Sequence, residues 1–295
     1  MSFSATLKSE LCKTEASTCC RLAECYGMLL FSRALFSDFI YFTAENEDVV
    51  EHLSEELRYF FGVHSKISGS GLKKEIFTLT AGEDDTDRIK QALDSSEHSV
   101  IKHHNISDEC CKQAFLRGAF LACGYIDDPN KDYNLEFVIG GEKLAAEFWD
   151  FLKEAGFKAK KSLRGKSTVL YFKDSEKIED ILTTIGAGDK TLELAGIKVY
   201  KDMRNHINRI NNCETANIDK TVNASVEQRT AIEALKKSGV LSELSDELKS
   251  TAKIRTENPE ASLNELCRLC GGISRSGLNH RLRRLIAIAK DKNLI

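Results

Sequence analysis

The sequence predicts an α+β protein. An N-terminal domain of two like halves, each running helix, strand, helix, strand, strand, helix, precedes an all-α C-terminal domain. Three observations predict it. A segment near residue 19 reappears near residue 110, the helix and strand patterns downstream repeat with it, and the chain from Ser262 onward carries a helix start, a glycine turn and a second amphipathic helix.

At 295 residues the chain is comfortable for two domains. Apolar residues make up 42% of it and proline occurs twice, at Pro129 and Pro259, a balance that favours helix-rich order. The formal net charge of −3 hides an asymmetry. From Val222 to the end there are 13 Lys/Arg against 9 Asp/Glu, whereas the preceding residues carry 29 against 36. A basic end on an acidic body points to a module that faces phosphates.

The first residues place Phe3, Leu7 and Leu11 at helical spacing and lack the apolar core of a signal peptide. The longest apolar stretch, Ala114–Ile126, contains Arg117 and is too short for a membrane span. The expectation is a cytoplasmic, nucleoid-associated protein with no membrane partner. In that reducing compartment the ten cysteines read as buried small side chains rather than disulfides.

The repeat has an offset of 91 residues. Cys19-Cys20-Arg21 faces Cys110-Cys111-Lys112, Ala23 faces Ala114, Gly27 faces Gly118 and Leu30 faces Leu121. These lie in two predicted helices, Cys20–Ala34 and Cys111–Gly124, whose glycines and alanines permit close backbone approach. A strand near Phe39–Thr43 answers one at Asn134–Ile139. Amphipathic helices at Val49–Phe61 and Lys143–Ala155 each end at a glycine (Gly62, Gly156) suited to a left-handed cap. Each is followed by a short strand, a polar glycine-bearing turn and a second strand, at Glu75–Thr80 and Thr168–Lys173. Helices near Asp84–Leu93 and Ser175–Ile185 close the halves. A repeat of this length makes a pseudo-symmetric pair rather than a solenoid. The halves span about 1–100 and 101–203.

Residues 204–224 read as a polar connector rich in Asn and Arg. Arg204, Asn205, Asn208, Arg209, Asn212 and Lys220 are candidates for interdomain hydrogen bonds or contacts to a phosphate backbone. The C-terminal domain then runs 225–295, with its motif at 262–295. Ser262 and Glu265 form a capping-box pair behind Pro259, and Gly271-Gly272 supplies a turn of helix-turn-helix length. Leu278, Leu282, Leu285, Ile286 and Ala289 make one buried stripe. Ser276, His280, Arg283 and Arg284 fall opposite it, with Ser274, Arg275, Asn279 and Arg281 on the first turn and flanks, and Arg268 on the preceding helix. Arg pairs with guanine, Asn with adenine, and Ser or Lys with phosphates, so these side chains suit a major groove of double-stranded DNA.

Two close-packed helices, each leading into a strand-rich half, resemble the LAGLIDADG homing endonucleases. Leu116–Gly124 (LRGAFLACG) aligns with their nine-residue motif, keeping the first Leu and both glycines. The position that holds the catalytic carboxylate in that family is Cys123 here, and Ser32 in the first copy. A thiol and a hydroxyl are poor substitutes for the hard oxygen ligands of magnesium, so no catalytic residue is assigned. Asp38, Asp127 and Asp128 lie nearby and read as turn residues.

Taken with the C-terminal module, the chain is similar to the WhiA family, through CCKQAFLRGAFLACGYIDDP, NRINNCETANIDKT and SLNELCRLCGGISRSGLNHRLRRL. The resemblance covers almost the whole chain. It implies a degenerate LAGLIDADG domain and a helix-turn-helix like that of sigma-factor region 4. It also implies roles in transcription, sporulation, and cell division with chromosome segregation, with RNA polymerase or another transcription factor as a further partner.

No cofactor is expected, since neither GxxxxGK[ST] nor GxGxxG occurs. No metal site is expected either. Cys267-x-x-Cys270 lacks a second pair, and the cysteines at 19–20 and 110–111, with Cys25 and Cys123, would have to converge although adjacent side chains point apart. A regulator is the leading reading. A residual metal-dependent endonuclease and a chromosome-tethered scaffold or sensor are its rivals.

Overall fold

The structure is a computed structural model that describes residues 2–71, 75–94 and 101–295. It divides into two compact units, Met1–Lys201 and Asp202–Ile295.

The first unit begins with helix α1 (Phe3–Leu11), which buries Leu7 and Leu11. The first half follows as α2 (Thr18–Phe31), β1 (Ile40–Ala44), α3 (Glu47–Phe61), β2 (Lys66–Ser70), β3 (Ile76–Ala81) and α4 (Glu83–Ala92). The second half runs α5 (Glu109–Cys123), β4 (Gly124–Ile126), β5 (Leu135–Gly140), α6 (Glu142–Glu154), β6 (Lys160–Arg164), β7 (Ser167–Phe172) and α7 (Ser175–Thr184). The six-element order expected for each half is present in both, and the second half adds β4. Three residues long, β4 follows directly from α5 and is too short to leave a periodic signature.

Both sheets are antiparallel. The first is ordered β1-β3-β2 and the second β4-β5-β7-β6, so the shared strands take the same places in each. Residues 72–74, where the sequence predicts a turn between β2 and β3, lie outside the described residues. Gly62 (φ 64°) and Gly156 (φ 88°) adopt the left-handed conformation expected after α3 and α6.

The core is centred on α2 and α5. Tyr26 and Phe115 stack with centroids 5.6 Å apart, and Phe31, Phe137, Phe148 and Phe151 extend the aromatic cluster across the second half. The two helices meet through their small residues. A Cβ on Gly27 would stand 2.6 Å from the carbonyl oxygen of Phe115, and one on Gly118 would overlap the carbonyl group of Glu24. Only hydrogen fits at either position.

Helix α8 (Gly188–Lys237) includes residues 204–224, so the polar connector of the sequence reading is helical. The second unit adds α9 (Asp246–Glu257), α10 (Leu263–Leu269) and α11 (Arg275–Asp291). Among the described residues no helix is long and apolar enough to cross a membrane.

Candidate nucleic-acid interface

The start of α10 is fixed by a complete capping box. The amide of Glu265 donates to Ser262 Oγ (3.3 Å) and the amide of Ser262 donates to Glu265 Oε2 (2.8 Å). Two of the helix's orphan donors are thereby satisfied. The turn that follows needs both glycines, since Gly271 (φ 77°) and Gly272 (φ 80°) are left-handed. Ser274 then caps α11 by accepting from the amide of Gly277 (3.2 Å).

Leu266, Leu278 and Leu282 are buried together between α10 and α11, with Ile254 of α9 packed against them. Leu285 and Ala289 join a second cluster with Ala231, Ile232 and Leu235 of α8 and Ala252 of α9. The segment from Ser262 is therefore packed as part of the larger domain rather than as a self-contained unit. Half of the apolar stripe of α11 is buried by helices earlier in the chain, which propensity within α11 cannot reveal.

Seating that stripe leaves the opposite side of α11 in solvent. Arg275, Ser276, His280, Arg283 and Arg284 are exposed, as are Ser274 and, on α10, Arg268, while Asn279 is half-buried. Among the described residues Arg268, Arg275, Arg283 and Arg284 have no acidic group within 4.0 Å, so their charge faces water. Arg281 is the exception: its guanidinium reaches Glu247 of α9 at 2.9 Å, which braces α11 against α9. Lys290 similarly meets Glu227 of α8 at 2.9 Å. On the connector part of α8, Arg204, Asn205, Asn208, Arg209, Asn212 and Lys220 are all exposed.

In the first unit, the helix ends that would carry metal-binding carboxylates in an endonuclease open on a cavity of about 740 Å³, lined by Lys8, Ser32, Tyr41, Glu45, Cys123 and Gly124 among others. Ser32 Oγ is turned back to the carbonyl of Leu29 (3.1 Å). Burial pushes the Cys123 thiol up to about 12, keeping it protonated at neutral pH. Lys8 donates to the carbonyl of Leu121 (3.0 Å), and burial lowers its pKa to about 8. Asp127 and Asp128 engage Asn134 and Asn130 in local turns (3.0 and 2.9 Å).

At the opposite, N-terminal ends of the same helices, the thiol pairs do converge. The sulfur atoms of Cys19, Cys20, Cys110 and Cys111 all lie within 4.8 Å of one another, against the expectation that adjacent side chains would hold them apart. Cys25 and Cys123 are not in this group. A signal for the convergence was present in the sequence. Cys20 and Cys111 each precede their contact glycine by seven residues, about 20° from it around the helix, and Cys19 and Cys110 by eight, about 80°. Helices that touch at those glycines therefore turn both pairs toward the axis.

The comparisons with known proteins agree with this architecture. The WhiA LAGLIDADG-like domain matches residues 112–204 and the WhiA C-terminal HTH domain matches residues 207–289. Proteins named "Probable cell division protein WhiA" from Clostridium novyi (strain NT) and Alkaliphilus metalliredigens (strain QYMF) are each 35% identical. The first alignment covers 99% of this chain and 98% of the relative, and the second covers 98% of both. The crystal structure of full-length WhiA from Thermatoga maritima superposes with a TM-score of 0.60 at 25% identity, covering 99% of each chain. A solved N-terminal LAGLIDADG domain of WhiA, at 21% identity and TM-score 0.50, covers 63% of this chain and 92% of that one and shows the same fold. With a LAGLIDADG-like domain and a helix-turn-helix domain in one chain, and such identity over nearly its full length, the chain belongs to the WhiA family.

Proposed function

We propose that this chain is a sequence-specific DNA-binding regulator of transcription that acts in cell division and chromosome segregation, and in sporulation where the host sporulates, without cutting DNA. The observation that carries the reading is the free cationic face of α11. Arg275, Arg283 and Arg284, with Arg268 of α10, project from a helix pair whose capping, glycine turn and buried leucines fix its geometry. Arginines without acidic partners on a rigid helix are ready to meet phosphates and guanine edges. Ser276, Asn279 and His280, in the first two turns of α11, are the base readers of this reading. The exposed Arg204, Asn205, Asn208, Arg209, Asn212 and Lys220 extend the phosphate-contacting surface along α8. RNA polymerase or another transcription factor is the expected protein partner, and the chain would work in the cytoplasm on the nucleoid.

The reading without cleavage rests on the chemistry at the two helix ends. A hydroxyl turned to a backbone carbonyl, a thiol held protonated and a lysine stand there, and among the described lining residues Glu45 is the one carboxylate, where two-metal cleavage uses a fixed pair.

Genome-wide occupancy mapped beside a transcript profile tests the reading. Sites shared by occupancy and altered transcription, lost together in an Arg275→Ala/Arg283→Ala/Arg284→Ala variant, are expected. Occupancy that survives in that variant would move recognition to another surface.

A further inference from the structure

We propose that Cys19, Cys20, Cys110 and Cys111 bind one zinc ion, which staples the two halves of the first unit together at the N-terminal ends of α2 and α5. The four sulfur atoms lie within 4.8 Å of one another, close to the separations a single tetrahedral ion requires. With Zn–S bonds of about 2.3 Å, a tetrahedron has edges of about 3.8 Å, so no pair of sulfurs has to close by more than about 1 Å. Clusters of several metal ions hold their thiolates farther apart. A closed set of four soft ligands with no room for water is a structural zinc site rather than a catalytic one.

The site is built by the pseudo-symmetry. Each half contributes the same Cys-Cys pair, two helical turns before the glycine at which α2 and α5 touch. Cys19 lies beside Cys111 and Cys20 beside Cys110, so the contacts cross between the halves. Cys20 and Cys111 are buried, while Cys19 and Cys110 are exposed and give an ion a path in. All four belong to the first turns of their helices. Binding replaces four S–H bonds by four Zn–S bonds, releases four protons to solvent and needs no oxidant or reductant. The resulting bridge joins residues 91 positions apart, at the end of the helices away from Ser32 and Cys123.

The competing fate of four such thiols is oxidation to disulfides, and one experiment separates the two. The full chain is purified under reducing conditions and its metal content measured. The metal is then removed with chelator and Co²⁺ added. One zinc per chain is expected, and Co²⁺ should give the intense visible and near-ultraviolet bands of a tetrahedral tetrathiolate, displaced by one equivalent of Zn²⁺. Because Cys19 and Cys110 are exposed, Cys19→Ser/Cys110→Ser should remain folded, as checked by the fluorescence of the single tryptophan, Trp149, which lies in the first unit. Loss of an outer-shell partner alone typically weakens metal binding about 10–100-fold, so this loss of two ligands should weaken zinc by more than about 100-fold. Zinc should also raise the melting temperature of the parent chain and leave that of this variant unchanged. Cys267→Ser/Cys270→Ser should bind as the parent does. Several outcomes would overturn the assignment. They are a folded parent chain that takes up no zinc, iron in its place, zinc retained by Cys19→Ser/Cys110→Ser, or a disulfide joining these cysteines in protein alkylated inside the cell.

Discussion

Arg117 of the second half donates through both Nε (2.8 Å) and Nη2 to one carboxylate oxygen of Glu24 in the first half, and His52 meets the other oxygen at 2.9 Å. Arg117 also reaches the carbonyl of Ile185 (3.4 Å), and both charged side chains are buried. The pair sits beside the Gly118 contact, so it fixes the orientation of α5 on α2 where apolar packing alone would tolerate sliding. Breaking a buried pair by removing one partner costs about 3–5 kcal/mol, because the other charge is left without compensation. Arg117→Met should therefore lower stability by that amount, measured by urea unfolding followed through Trp149. Glu24→Leu/Arg117→Met should recover part of the loss.

The same pair sets an acid limit. Burial opposes the charge on Glu24, but His52 and Arg117 outweigh it and hold the carboxyl below its ordinary value of 4.5. A group with a depressed folded pKa contributes stability above its unfolded pKa, and that contribution is lost as pH falls through the folded value. The urea midpoint of the parent chain should hence decline more steeply below pH 4.5 than that of Glu24→Gln. Equal slopes would remove Glu24 from the acid response.

Gly118→Leu should be more damaging than a substitution on an open helix face. Its Cβ would overlap the backbone carbonyl of Glu24, which cannot swing aside as a flexible side chain would. Overpacking of a tight core costs about 1–3 kcal/mol, and a backbone clash lies at or above the upper end of that range. Gly196→Ala, with open space around it, should leave the melting temperature unchanged or slightly raised. Equal effects of the two would count against the close helix contact.

Within α11 the division of labour can be separated by salt. Asn279→Ala should cost about 1–3 kcal/mol on the cognate duplex and relax preference at one base position. Arg284→Ala should weaken cognate and scrambled duplexes alike and reduce the salt slope by about one ion. Titrations at several salt concentrations decide it, and a reversal of the two behaviours would mean that the helix enters the groove in another orientation. Arg281→Ala adds a control. Because Arg281 is tied to Glu247, its loss should lower the stability of the second unit as well as any DNA affinity.

Purified protein with magnesium or manganese should not nick its own DNA site. Cleavage that disappears when Asp127 or Asp128 is changed would falsify this and make those turn residues metal ligands.

Local chemistry in the sequence was enough to specify most elements and one symmetry. The helix start at Ser262, the left-handed glycines at 62 and 156, the glycine turn at 271–272, and the strands beside Ile40 and Leu135 follow from capping, steric freedom and alternation. These effects act over a few residues and are written wherever those residues stand. The repeat carried further, because two copies of one helix with a glycine on the same face imply a contact between them. What the tertiary structure decided depends on groups that meet only when distant segments pack. Arg117 read as a lone charge in an apolar helix until Glu24 and His52 were placed against it. The apolar stripe of α11 was legible, but not that half of it is buried by α8 and α9, since one stripe suits many partners. In the connector Arg204, Asn208 and Asn212 share a helical row, but its many Asn residues, weak helix formers, did not announce that α8 runs unbroken through it. The four thiols illustrate both halves of this division. Their spacing from Gly27 and Gly118 was in the sequence, but the crossing that brings them within reach of one another exists only in the folded pair of helices.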